Sequence, residues 1–188
     1  MNKIILLIFL MLNTLPSWAV ERPNYELLRF DENWQSFDTS NLVEHDFFDP
    51  IKYIPLSKNN NIGLSIGGQV RYRGEYWQDF NFNSPTDVEH NDYFSLFRAF
   101  IHTDFHFGQN VRLFLMAKTA QSEGRDLNGE RRSGDVDTLA LQNAFIDVIY
   151  PLAEQSSLTL RAGRQQLLLG SRRLVDPPFW SNVKRPLD

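Results

Sequence analysis

Six basic residues stand where they could act on one solute. Arg71 and Arg73, Arg98, Arg112 and Lys118, and Arg161 each fall on the polar side of an alternating apolar/polar segment. A guanidinium presents a planar fork of donors that pairs with carboxylates, and a ring of such groups in a confined passage selects for anions. Glu75, Asp104 and Asp147 share these polar faces. The same arginines could therefore pair across strands and stiffen a wall instead. A second constellation, His102, Asp104 and His106, has alternate spacing that suits a metal or a proton-transfer pair. Lining a polar passage is the simpler reading of these three. Ser95 lies on the opposite side of the same segment, and no Gly-x-Ser-x-Gly elbow occurs. The sequence thus points away from an enzyme and offers neither a cofactor motif nor a metal-ligand set. It has no cysteine, which excludes disulfides and thiolate metal sites. A net charge of −4 gives no basic footprint for nucleic acid.

The elements that must position these residues are strands. From Ile62 the period is two: Leu64, Ile66, Gly68, Val70, Tyr72, Gly74 and Tyr76 on one side, Ser65, Gly67, Gln69, Arg71, Arg73 and Glu75 on the other. A second strand is predicted from about Tyr93 to Phe107, with Tyr93, Phe97, Ala99, Ile101, Phe105 and Phe107 opposite Arg98, His102, Asp104 and His106. A third runs from about Val111 to Gln121, with Val111, Leu113, Leu115 and Ala117 opposite Arg112 and Lys118; Phe114 and Met116 interrupt the polar side and either pack on the N-terminal extension or mark a point where the face is ambiguous. A fourth, about Thr138 to Tyr150, sets Ala140, Ala144, Ile146, Val148 and Tyr150 against Asn143 and Asp147. A fifth, about Ser157 to Gly170, sets Leu158, Leu160 and Ala162 against Thr159, Arg161 and Gln165; Arg164 breaks the pattern, and a bulge near Gly163 would turn it inward. These strands match or exceed the roughly 9–11 residues that cross a bilayer. A chain with 13% aromatic residues and a mean hydropathy of −0.37 suits a wall with one apolar and one wet face.

Connections alternate in length. Gly108 to Asn110 and Pro151 to Ser156 are short; Gln78 to Asp92 and Ser122 to Asp137 are long and polar. Outer-membrane barrels show this asymmetry, with short periplasmic turns and long outer loops. The predicted girdles are Tyr76, Trp77 and Tyr93 at the outer interface and Phe105, Phe107 and Tyr150 at the inner one. The loop from Glu123 to Asp137 is rich in Asp and Gly without EF-hand spacing and reads as a solvated outer loop or an inward-folding gate.

Residues 1–19 read as a cleaved signal peptide: Lys3, an apolar run from Ile4 to Leu12, and Ser17-Trp18-Ala19 before the cleavage point. The run is too short to span ~30 Å of hydrocarbon. Residues 20–61, rich in Asn, Asp, Glu and Phe and broken by Pro50 and Pro55, read as a periplasmic extension tucked under or into a barrel, with a loosely ordered leader as the alternative for residues 20–40. The fold class is therefore all-β, a transmembrane antiparallel β-barrel in which residues 62–188 supply about five to six strands. So few strands do not close a barrel, so the sequence is expected to be the N-terminal portion of a longer one, ending at the approach to a sixth strand near Asp188.

Several phrases also resemble the bacterial alginate export family of outer-membrane porins: Gly67 to Tyr76, Arg98 to His102 with Asp104, Asn110 to Phe114, Leu141 to Asp147, Leu160 to Leu167, Arg173-Leu174-Val175, and Asn182 to Arg185. The resemblance implies an eighteen-stranded monomeric barrel with an Arg-rich lumen passing a polyuronate outward. It implies an acidic polysaccharide as the transported solute, outer-membrane lipid around the wall, and periplasmic export partners. A general or neutral-sugar porin and a non-conducting adhesin or outer-membrane enzyme are the alternatives.

Overall fold

The computed structural model describes residues 22–35, 37, 46–85, 87, 90–128, 132–153 and 156–188. The signal-peptide reading of residues 1–19 lies outside them. The architecture is all-β: one six-stranded antiparallel sheet in strict sequence order, an open part of a barrel. Its strands are β1 (Ile54–Pro55), β2 (Ile62–Trp77), β3 (Asp92–Phe107), β4 (Val111–Glu123), β5 (Asp137–Ala153) and β6 (Ser156–Arg164). A one-turn helix, α1 (Asp49–Lys52), precedes β1.

Alternation dictates the two faces, and the faces are inverted relative to a water-soluble sheet. Val70, Tyr72, Tyr76, Tyr93, Ile101, Phe107, Leu115, Ile146, Tyr150, Leu158 and Leu160 point out and are exposed. Arg98, His102, Asp104, Lys118, Asn143 and Asp147 point in and are buried. Water would drive the first set inside and leave the second set outside. An apolar solvent around the sheet reverses that preference, as in outer-membrane barrels.

The turn between β3 and β4 is tight because Gly108 takes φ +63° without steric cost. β2 and β3 are joined by a long polar loop, as are β4 and β5, whereas β5 and β6 are two residues apart. Tyr76 and Tyr93 face each other at the long-loop end, and Phe105, Phe107 and Tyr150 lie toward the short-turn end. Trp77 departs from expectation. Its odd position in the alternation sends it inward, where it packs on Phe80 and Phe94 and its Nε1 donates to Glu75 at 2.8 Å.

Two further differences come from local backbone. Met116 pairs with Asn143 but Ala117 pairs with Leu141, so Gln142 is an extra residue and the parity of β5 flips there. Ala140 consequently shares the inner side with its partner Lys118, while Leu139 and Leu141 point out. At the end of β6 no bulge forms: Gly163 pairs with Phe145 and Arg164 with Ala144 in unbroken register. Gly163 instead takes φ +126°, and a Cβ there would sit 2.3 Å from the Ala144 carbonyl oxygen. Arg164 stays on the outer side and pairs with Asp188. β6 stops at Arg164 rather than Gly170; Gln166 turns inward and its backbone N–H donates to Asn143 Oδ1. The expected approach to a sixth strand is absent among the described residues. That stretch folds back across the inner face, and the sixth strand is the short β1.

Besides that C-terminal stretch, two segments cover the inner face. In the N-terminal one, Leu28 and Phe30 lie against Phe100, Phe114, Met116 and Phe145, which explains the apolar interruption of β4. Phe30 meets Phe114 and Phe145 edge-on at 5.8 and 5.2 Å. Gln35 donates to the Gly108 carbonyl, so this segment extends to the short-turn end. At the other end the β4–β5 loop folds inward: Leu127 is fully buried with Phe94 and Leu96, and Asp135 is buried beside Arg125 and Arg132.

Candidate functional site

The six predicted basic residues all lie on the inner side, and the structure divides them into two groups. Arg112 and Arg161 are neutralised by the wall. Arg112 grips Asp104 through Nε and Nη2 at 2.8 and 2.7 Å. Arg161 grips Asp147 the same way at 2.6 and 2.8 Å, with its guanidinium 3.8 Å from the Phe145 ring centroid. Arg112 also reaches Asp147 at 4.0 Å. These are bidentate, charge-assisted pairs between neighbouring strands, the strongest geometry available to this pair of side chains.

Arg71, Arg73, Arg98 and Lys118 do something else. Residues 179–184 cross the inner face as a strap, and its backbone carbonyls sit on these cations. Arg71 donates to the carbonyls of Phe179 at 3.2 Å and Ser181 at 3.0 Å. Arg73 donates to the Trp180 carbonyl at 2.7 Å and pairs with Glu75. Arg98 donates to the Ser181 carbonyl at 2.7 Å and to Gln69 Oε1 at 3.1 Å, over the Phe100 ring. Lys118 donates to the Lys184 carbonyl at 2.7 Å and pairs with Asp137 at 2.8 Å.

Arg71 and Arg98 are direct cross-strand partners. Like charges opposite one another on one face repel, yet among the described residues neither has a carboxylate within ion-pair distance. Their Nε atoms, and that of Arg73, are buried without a hydrogen-bond acceptor. Beside them lies a cavity of about 340 Å³, bounded by Arg29 and Tyr25 of the N-terminal segment, Gln69 and Phe100 of the sheet, and Phe179 and Lys184 of the strap. Arg29 and Lys184 add two cations that sequence reasoning missed. Arg29 stands in a stretch without a period, so no face could be assigned to it. Lys184 belongs to a phrase that carried only the family resemblance. Burial pushes the Lys184 ammonium down to about 7, and the positive charges of Arg98, Arg29 and Arg71 push the same way; Asp176 opposes them weakly.

His102, Asp104 and His106 share the inner face as alternation required. Asp104 accepts from Arg112, and its Oδ2 lies 3.2 Å from His106 Nε2. His102 stacks on Phe114 at 5.4 Å over the gap at Gly67, where a Cβ would come within 2.6 Å of the imidazole. Among the described residues no three His, Asp or Glu side chains are placed to hold a metal ion. The three residues fill space between wall and N-terminal segment.

A family model for alginate export matches residues 63–188, from the first full strand through the strap. No curated protein and no solved structure matches the chain.

Proposed function

The chain belongs to the alginate export family, and from that premise we propose that it is wall and lumen of an outer-membrane channel for passive export of an anionic polysaccharide, a polyuronate such as alginate. The short turns then lie in the periplasm and the long loops outside, with residues 1–19 as the export signal and 20–61 as a periplasmic segment reaching up into the lumen. The observation that carries the reading is the Arg71–Arg98 pair: two guanidinium groups set opposite each other on the inner face with no carboxylate between them. A wall built only for stiffness neutralises such a pair, as it does at Arg112 and Arg161. Here the uncompensated charge raises the local anion concentration in a poorly screened passage. A sugar carboxylate would exchange its hydration for charge-assisted contacts, each weak enough to break as the chain advances. A neutral-sugar porin has no use for this charge, although the paired arginines alone would suit one.

The test is the double substitution Arg71→Glu with Arg73→Glu in the full-length protein, read as the reversal potential of planar bilayers under a salt gradient. The substitution should lower anion over cation permeability and slow polyuronate release. Lys at both positions should keep most of the selectivity, since charge matters more here than fork geometry. A reversal potential unmoved by the Glu pair would put the neutral-sugar porin ahead.

A further inference from the structure

Resting on that reading, we propose that residues 179–184 are a displaceable internal occupant of the polyuronate path, holding the arginines while no solute is present and yielding them when one arrives. Three observations support it. First, the strap offers the arginines only what a solute would offer better. The carbonyls of Phe179, Trp180 and Ser181 occupy Nη donors of Arg71, Arg73 and Arg98. A neutral carbonyl makes a weaker bond to a guanidinium than a carboxylate does, so a polycarboxylate can win the exchange. Second, the strap is anchored by hydrogen bonds at two places, Asn182 and Gly134, rather than by a strand ladder. Asn182 is buried, and its Nδ2 reaches the carbonyls of Phe97, Gln121 and Asp135 at 3.0, 3.0 and 2.7 Å. Apart from those to the arginines and Lys118, the remaining hydrogen bonds run to Gly134, from the Val183 backbone N–H at 2.9 Å and the Ser181 hydroxyl at 3.1 Å, while Phe179 packs on the edge of the core cluster and Lys184 lies over Phe100. A strap held by side chains and loop carbonyls, with no strand ladder of its own, can leave without unzipping the sheet. Third, the strap brings its own cation into the cluster. Lys184 sits 4.2 Å from the Phe179 ring centroid among Arg29, Arg71 and Arg98. It opposes docking when charged and assists anion capture when the strap moves.

The experiment locks the strap. A Cβ built on Gly134 lies 3.6 Å from Ser181 Oγ, close enough for a disulfide, and the chain has no other cysteine. Gly134→Cys with Ser181→Cys, in the full-length protein reconstituted in bilayers, is compared oxidised and reduced for the concentration of an oligouronate of defined length that half-blocks the ion current. Locking should weaken that half-block about tenfold, within the usual range for coupling between two states, and reduction should restore it. Asn182→Ala, which frees one anchor, should strengthen it. Equal half-block in the oxidised and reduced forms, with the cross-link verified by mass, overturns the strap as an occupant while leaving the channel reading intact. A wild-type protein that oligouronate does not block overturns the channel reading and the strap with it.

Discussion

The two halves of the inner face use the same residue type for opposite ends. On the β4–β6 side, Arg112 and Arg161 meet Asp104 and Asp147 in bidentate pairs. On the β2–β3 side, Arg71 and Arg98 meet only amide oxygens. Charge that is matched by the wall contributes to stability and is invisible to a solute. Charge that is merely hydrogen-bonded keeps its field. An arginine on an inner face therefore says little about selectivity until its partner is known.

Breaking the matched half should have the largest effect on folding. Asp147→Ala would strand the Arg161 guanidinium and weaken the hold on Arg112, and removal of one member of a buried pair costs about 3–5 kcal/mol. Urea unfolding in lipid vesicles should show that loss, with little change in anion selectivity. Arg98→Met addresses the unmatched half. It forfeits two hydrogen bonds but relieves repulsion with Arg71, so its stability cost should stay below about 1.5 kcal/mol while selectivity for anions falls. If both variants cost the same stability, the division between the halves fails.

A smaller effect should follow pH. Docked Lys184 gives up its proton near pH 7, whereas a lysine in water holds it to about 10.5. The undocked strap therefore binds more protons between pH 7 and 10, and docking grows more favourable as pH rises from about 7 toward 10. Below pH 7 both states are protonated and the dependence flattens. The groups facing Lys184 are Arg29 from the N-terminal segment, Arg71 and Arg98 from the sheet, and Asp176 from its own segment. Oligouronate half-block should weaken between pH 7 and pH 9 in the wild type and stay level in Lys184→Met.

What the sequence revealed is what a period of two can carry. The strands, their inner and outer sides and the inner-face position of Arg71, Arg98 and Asp147 follow from alternation, because successive side chains of a strand point to opposite faces. Alternation fails where the backbone departs from regularity. Gln142 inverts the side taken by Ala140 without any marker in residue type, and Arg164 looks like an inward break although the register never slips. The partners of the arginines were illegible for a different reason. Which carboxylate faces which guanidinium depends on strand register, and the strap has no period at all; its role rests on carbonyl groups, which every residue possesses. Phe114 and Met116 were readable as anomalies, since apolar side chains on a wet face demand a cover, and the cover proved to be Leu28 and Phe30.

The strict sequence order of the sheet also sets a kinetic order. Each full strand pairs with its chain neighbours, so the wall can zip hairpin by hairpin, beginning at the short turns after β3 and after β5, where loop closure costs the least entropy. The amide of Asn182 cannot join that process early. Its three acceptors lie on β3, on β4 and in the loop after β4, between 47 and 85 residues away along the chain, and they converge only when those parts are already paired. Seating of this single side chain is thus a late event in maturation. A probe placed beside it would time the completion of the wall rather than its beginning.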